Sequence, residues 1–180
     1  QIDFENHLAV AMLKAHHQVG GPVYLEDESR LIGRCALPEH FRARMSESPL
    51  LILEQPMAER VDIIRTDYVE HMLADYIARD GEEAGWLNFR DYLLSAIDRI
   101  RKRLGGARHQ ELRALMERAL EQQERTGDTS GHHLWIEALL TDYYDPMYDY
   151  QLSQKQGRIL VRGGPDEITA YAREHHNPHN

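Results

Sequence analysis

The sequence predicts an α/β chain that is predominantly helical: about three strands in a parallel sheet, flanked by helices, with a large all-helical insertion. Three observations lead there. Val23-Tyr24-Leu25, Leu50-Leu51-Ile52-Leu53 and Arg158-Ile159-Leu160-Val161 are short apolar runs without polar alternation, the pattern of strands covered on both faces of a parallel sheet. Helical periodicity separates these runs, as in chains that alternate strand and helix. From residue 86 to 142 the pattern is helical alone.

Residues 3–18 read as a helix. Asp3 is placed as its N-cap, and Phe4, Leu8, Ala11, Met12 and Ala15 recur at helical spacing. Gly20-Gly21-Pro22 ends it, and Val23-Tyr24-Leu25 follows as a buried strand running into Glu26-Asp27-Glu28. Pro38 suits the first turn of a short helix through about Met45. The second strand, Leu50–Leu53, leads to Pro56, which opens a long helix with Val61, Ile64, Tyr68, Met72 and Tyr76 on one face. Asp80-Gly81 breaks that pattern.

The helix expected from Trp86 to Leu104 carries the stripe Trp86, Phe89, Leu93, Ile97, Ile100, Leu104, spaced 3, 4, 4, 3 and 4 residues apart. Gly105-Gly106 supplies its stop. Leu112, Leu115, Met116, Ala119 and Leu120 mark a helix over 108–125, and Leu134, Trp135, Leu139 and Leu140 one over 132–142. The aromatic segment 143–150 reads as a packed connection, Arg158–Val161 as the third strand, and Pro165 as the start of a last helix.

Composition sets the bounds. The 180 residues suit one domain with a real core, and 42% hydrophobic content with 28% charged argues against wholesale disorder. One cysteine, Cys35, excludes a disulfide framework and a multi-cysteine zinc site within this sequence. No apolar run approaches the roughly 18–20 residues that span a bilayer, so no membrane role is expected. The sequence opens on Gln1 rather than Met, and the expectation is a fragment or a processed chain. A net charge of −9 opposes a simple electrostatic case for nucleic acid. Yet all but three of the 21 basic residues are arginine, the side chain suited to bidentate phosphate recognition and stacking.

Four constellations are chemically suggestive. Val23–Glu28 is an apolar strand ending in acids, as in a Walker B element. Carboxylates at the C-terminal end of a parallel strand sit where ligands bind and can hold Mg²⁺ directly or through water; strands running into solvent often end in acids too. The companion phosphate loop, G-x-x-x-x-G-K-[ST], is absent from the sequence. Arg99, Arg101, Lys102, Arg103 and Arg108 form a basic run, which either complements a helix C-terminus or contacts RNA phosphates. Tyr143, Tyr144, Asp145, Tyr148 and Tyr150 offer rings for base stacking or for packing. The adjacent pairs His16-His17, His132-His133 and His175-His176 point about 100° apart on a helix, poor geometry for a metal, and read as surface histidines. Cys35 has no identified base partner and reads as an ordinary thiol.

Taken together, Gln1–Leu13 (QIDFENHLAVAML), Leu25–Gly33 (LEDESRLIG), Leu37-Pro38-Glu39, Arg101–Gly105 (RKRLG) and Asp142–Leu152 (DYYDPMYDYQL) resemble the C-terminal part of the bacterial tRNA 2-selenouridine synthase family, over essentially the whole chain and in order. The resemblance implies a partial P-loop-type sheet without its Walker A loop, preceded in the family by a rhodanese-like domain that carries the catalytic cysteine. It implies an RNA-modifying transferase that replaces sulfur by selenium in wobble 2-thiouridine of tRNA. Selenophosphate is the donor, and a geranyl group from geranyl diphosphate marks the intermediate.

Carried over residue by residue, it implies that Glu26, Asp27, Glu28 and Arg30 handle Mg²⁺ or phosphate. It implies that Arg101, Lys102 and Arg103 meet the tRNA backbone, and Arg99 and Arg108 of the same basic run are RNA-binding candidates with them, while Tyr143, Tyr144, Asp145, Tyr148 and Tyr150 keep the family pattern without an assigned step. No catalytic residue is assigned within this chain, which is expected to be inactive alone and cytoplasmic. The expected organisation is a partial P-loop domain over 1–85, a helical region over 86–152, and a strand and helix over 153–180 that return to the sheet. Two other readings stand beside it: a non-catalytic helical interaction module, and part of a P-loop nucleotide kinase.

Overall fold

The computed structural model describes residues 1–19, 21–27 and 30–175. Gly20, Glu28, Ser29 and the tail from His176 lie outside the described residues. The chain forms two compact units, Gln1–Glu54 with Lys155–Asn180, and Gln55–Gln154. The helices spanning 57–80 therefore group with the helical stretch that follows them.

The first unit holds the sheet. Helix α1 (Ile2–Val19) is followed by a two-residue antiparallel hairpin, β1 (Leu31–Ile32) and β2 (Cys35–Ala36), turned at Gly33 with φ +59°. Helix α2 (Glu39–Glu47) starts directly after Pro38, as expected. Strand β3 (Leu50–Leu53) pairs in parallel with β4 (Ile159–Gly163), with Leu51 opposite Val161 and Leu53 opposite Gly163. Arg158 joins the end of α2 to β4, donating to the carbonyls of Met45 and Ser48 at 2.8 Å each. Carbonyls at a helix C-terminus have no partner inside the helix, and this guanidinium supplies one. Helix α10 (Pro165–His175) begins with Asp166 and Glu167 at its positive end, and Glu167 accepts the Gly164 N–H at 2.8 Å.

Among the described residues the parallel sheet has two strands where three are expected. Val23-Tyr24-Leu25 forms no ladder, and its side chains are 41–50% exposed. An extended segment becomes a strand only by exchanging hydrogen bonds with a neighbour. These residues instead line an open trough of about 1000 Å³, whose other walls include Leu50, Leu51, Ile168 and Ala172. Among the described residues, β3 is bonded to β4 along one edge only.

The second unit is all helix. Helices α3 (Met57–Arg65) and α4 (Met72–Asp80) are joined by a π-helical turn, Thr66–His71. Helix α5 (Glu82–Arg99) starts four residues before the expected Trp86, with Glu82 and Glu83 in its first turn. Phe89, Leu93 and Ile97 of the expected stripe are buried, and Trp86, Ile100 and Leu104 pack against them. Gly85 lets α4 and α5 touch: a Cβ there would lie 2.7 Å from the Ile77 Cα and the Tyr76 carbonyl.

The expected single helix to Leu104 breaks at Ile100 (φ −97°, ψ 5°), so the basic residues fall on a separate short helix, α6 (Arg101–Leu104). Helix α7 (Gly106–Thr126) buries Leu112, Met116, Ala119 and Leu120, and ends at Gly127 in the left-handed region. Helix α8 (His132–Leu139) continues through a π-helical turn, Leu140–Tyr144, into α9 (Asp145–Ser153). The aromatic segment is thus helical rather than a connection. Pro146 in its first turn lacks an N–H and crowds the carbonyl four residues back, and the wider π turn lies just there.

Candidate functional site

A cavity of about 720 Å³ lies inside the helical unit. Its floor is Leu93 and Ile97 of α5, Met116 of α7, Trp135 and Ile136 of α8, and Leu140, each at most 5% exposed. Its mouth carries Ile63, Tyr68 and Tyr148, about half exposed, and two cations, Arg60 and Arg99. Apolar walls with a few convergent polar groups are the usual composition of a small-molecule pocket.

The polar groups differ in their freedom. Arg60 and Asp145, 85 residues apart, form a two-pronged pair; one Nη donates to Asp145 Oδ2 at 3.1 Å and the other to Oδ1. The Asp145 hydrogen bond raises the Arg60 pKa above its ordinary value, against the opposing effect of burial. Arg99 makes no ion pair among the described residues, and its guanidinium carbon lies 5.9 Å from the centre of the Tyr92 ring. Tyr144 and Tyr148 stack with centres 6.3 Å apart, and Tyr143 meets Tyr144 edge-on at 5.0 Å. Burial, reinforced by neighbouring tyrosines, raises the Tyr144 pKa, so it is a neutral phenol at physiological pH.

Two stretches singled out separately in the sequence meet here. Arg103 donates to the Tyr143 hydroxyl at 2.9 Å. Arg108 pairs with Asp142, and with Glu111 at 2.6 Å. The segment Arg99–Arg108 and the segment Asp142–Tyr148 therefore build one wall of the unit. Arg103 and Arg108 are engaged within it, whereas Arg101 and Lys102 are exposed and form no ion pair among the described residues. Tyr150 is 69% exposed and does not line the cavity.

The acidic stretch lies in the other unit. Glu26 and Asp27 line the trough beside β3, and Asp27 pairs with Lys155. Glu28 lies outside the described residues. Arg30 is exposed, and its carbonyl accepts the Leu37 N–H at 3.0 Å. Among the described residues no group of three His, Cys, Asp or Glu side chains is placed to hold a metal ion.

One histidine departs from the surface expectation. His132 is fully buried, because both ring nitrogens are satisfied: the Trp135 indole donates to Nδ1 at 2.8 Å, and Nε2 lies 2.9 Å from Oε1 of the Gln123 side chain. An indole only donates, so Nδ1 is bare and the proton sits on Nε2. Burial, aided by Arg65 and His133, lowers its pKa to about 4. Cys35 is a free, half-buried thiol. Sequence reasoning missed Arg60 and the rings of Tyr68 and Tyr92. No local signal marks Arg60, whose partner lies far along the chain; the tyrosines stand at helical spacing like any core residue.

The family model described as the tRNA 2-selenouridine synthase AAA domain matches residues 1–179. The chain is 80% identical over 173 residues to the tRNA 2-selenouridine synthase of Marinobacter nauticus, covering 96% of this chain and 47% of that relative. It is 47% identical over 175 residues to that of Shewanella frigidimarina, covering 97% and 48%, and 45% identical over 172 residues to that of Hahella chejuensis, covering 95% and 45%. The chain spans about half the length of the curated relatives it matches. No solved structure matches it.

Proposed function

The chain belongs to the family of the tRNA 2-selenouridine synthase AAA domain, and from that premise we propose that it is part of a tRNA-modifying transferase. The transferase converts wobble 2-thiouridine to 2-selenouridine. The thiocarbonyl sulfur first takes the geranyl group from geranyl diphosphate, releasing diphosphate; the selenium of selenophosphate then attacks the same carbon and expels the sulfur as geranylthiol, and water takes the phosphoryl group from selenium as phosphate. The observation that carries this reading is the match over residues 1–179, supported by 80% identity to a relative bearing that name.

Within it, Arg30 contacts phosphate directly, and Glu26, Asp27 and Glu28 form the acidic end of the segment, where Asp27 and Glu28 would hold a Mg²⁺ that would supply positive charge to a diphosphate. Arg99, Arg101 and Lys102 hold the tRNA backbone as point charges on an exposed helix end. Arg103 and Arg108 keep that end in place through Tyr143 and Asp142. The catalytic cysteine belongs to a rhodanese-like domain outside this chain, and the enzyme works in the cytoplasm. No helix among the described residues is long and apolar enough to cross a membrane.

Two measurements on the full-length protein test the reading. Changing Asp27→Asn and Glu28→Gln together is expected to abolish geranyl transfer; a full rate in the folded double variant removes the phosphate assignment. Changing Arg101→Glu and Lys102→Glu is expected to weaken tRNA binding and to reduce the slope of log K against log salt by about 2, one for each phosphate no longer neutralised. An unchanged slope removes these residues from the RNA surface.

A further inference from the structure

The cavity in the helical unit and the free cations beside it ask for one ligand with two natures. The floor is aliphatic and aromatic, so a sugar or base placed there would lose its hydrogen bonds to water without replacement. A long apolar chain fits, because each buried methylene gains by leaving water. The volume of about 720 Å³ lies within the range of small-molecule pockets, roughly 300–1,000 Å³.

The mouth is cationic, but its cations do not converge on one point. Arg60 is already held by both oxygens of Asp145. The cation at the rim without a carboxylate among the described residues is Arg99; Arg101 and Lys102 follow the lining residue Ile100 on α6, exposed and likewise without an ion pair among the described residues. A row of separated, solvated cations suits a polyanion better than a compact diphosphate, which is best met by donors closing on it from several sides.

We propose that the cavity holds the apolar chain of a prenylated nucleotide while Arg99, Arg101 and Lys102 hold the flanking RNA phosphates. This rests on the reading above, which supplies the geranylated tRNA; what it adds is the place where that intermediate is retained. The chain lies against Leu93, Ile97 and Trp135, and the RNA stays outside the mouth between Tyr68 and Tyr148. A modified tRNA would then stay bound after diphosphate leaves, because its new group has a pocket of its own.

The test uses the full-length protein and two RNA stem-loops, identical except that one carries 2-thiouridine and the other S-geranyl-2-thiouridine. The quantity read is the ratio of their dissociation constants. The wild type is expected to bind the geranylated RNA at least tenfold more tightly. Ala96→Phe, inside the cavity, and Ile63→Trp, at its mouth, are each expected to bring the ratio below threefold. Ile63 is 45% exposed, so its replacement tests the mouth even if Ala96→Phe fails to fold. A photoreactive geranyl group on the same RNA is expected to label α5 and α8.

A tenfold ratio that persists in a folded cavity variant, or labelling confined to the other unit, overturns the assignment. A wild type that geranylates tRNA yet shows no preference for the geranylated stem-loop overturns it while leaving the proposed function intact. A wild type that neither binds tRNA nor transfers a geranyl group overturns both.

Discussion

Acidification is expected to weaken the helical unit through one residue, His132. In the folded chain the ring is buried and neutral, with Nδ1 accepting from Trp135 and Nε2–H donating to Gln123. Protonation would put a second hydrogen on Nδ1, facing an indole N–H that can only donate, and would strand a charge out of water. The folded pKa is lowered to about 4, first by desolvation and then by Arg65 and His133, against an ordinary value of 6.5. As pH falls below about 6.5 the unfolded chain takes up the proton and the folded chain does not, so stability drains away. The loss begins near pH 6.5 and levels off near pH 4. Its slope approaches ~1.4 kcal/mol per pH unit, and its total is about 3 kcal/mol.

Urea unfolding followed by tryptophan fluorescence, repeated between pH 7.5 and 4, measures this. Carboxylates titrate over part of the same range, so the informative quantity is the wild-type stability minus that of His132→Gln. This difference is expected to shrink by about 3 kcal/mol on acidification. A difference constant across the range refutes the reasoning, as does an imidazole ¹⁵N spectrum showing the proton on Nδ1 at neutral pH.

Three other perturbations have defined outcomes. Gly85→Ala puts a methyl group into the Ile77 backbone and should destabilise the chain by roughly 1–3 kcal/mol, read as a lower urea midpoint at unchanged slope; no shift would mean that α4 and α5 do not meet as described. Phe89→Ala, at a site with no solvent exposure, should cost about 3–5 kcal/mol in the same assay. The Arg60–Asp145 pair is only partly exposed on both sides, so a double-mutant cycle with Arg60→Ala and Asp145→Ala should give a coupling energy of about 1 kcal/mol, a value discounted for solvent screening. Additivity within a few tenths would demote that pair to a surface contact.

What the sequence made legible was whatever repeats with a period. The stripe Phe89, Leu93, Ile97 is buried because a helix brings every third and fourth residue to one side. Leu50–Leu53 and the run from Ile159 became strands because they found each other. Val23–Leu25 has the same composition, yet no neighbouring strand bonds to it among the described residues. Whether an apolar run becomes a strand is decided by its partner, which composition does not reveal.

The break at Ile100 and the π turn before Pro146 escaped notice because neither interrupts the apolar spacing. The candidate site was legible in pieces. The arginine run and the tyrosine motif were each visible, but not that Arg103 reaches Tyr143 or Arg108 reaches Asp142, pairs separated by more than thirty residues. Arg60 was invisible for the same reason. His132 was hidden because burial of a histidine depends on finding two hydrogen-bond partners, and one of them, Gln123, is on another helix.

The pairing of β3 with β4 has a consequence in time. Leu53 stands opposite Gly163 and the next N–H, that of Glu54, donates to the Gly163 carbonyl at 2.8 Å, yet about a hundred residues, mostly helix, are made between them. At the usual pace of synthesis, about 5–20 residues per second, β3 emerges some 5–20 s before its partner β4 exists. Several helices of the intervening unit pack on near neighbours in sequence, α4 on α5 and α7 on α8, and such contacts form fast, while α3 closes on α8 as soon as α8 is made, still before β4. The helical unit is therefore finished first, and while it folds Leu50–Leu53 waits as an unpaired apolar strand. The parallel pair closes only after the helical unit and leaves β3 exposed to wrong partners meanwhile, so mutations that delay the helical unit are expected to appear as aggregation beginning at β3.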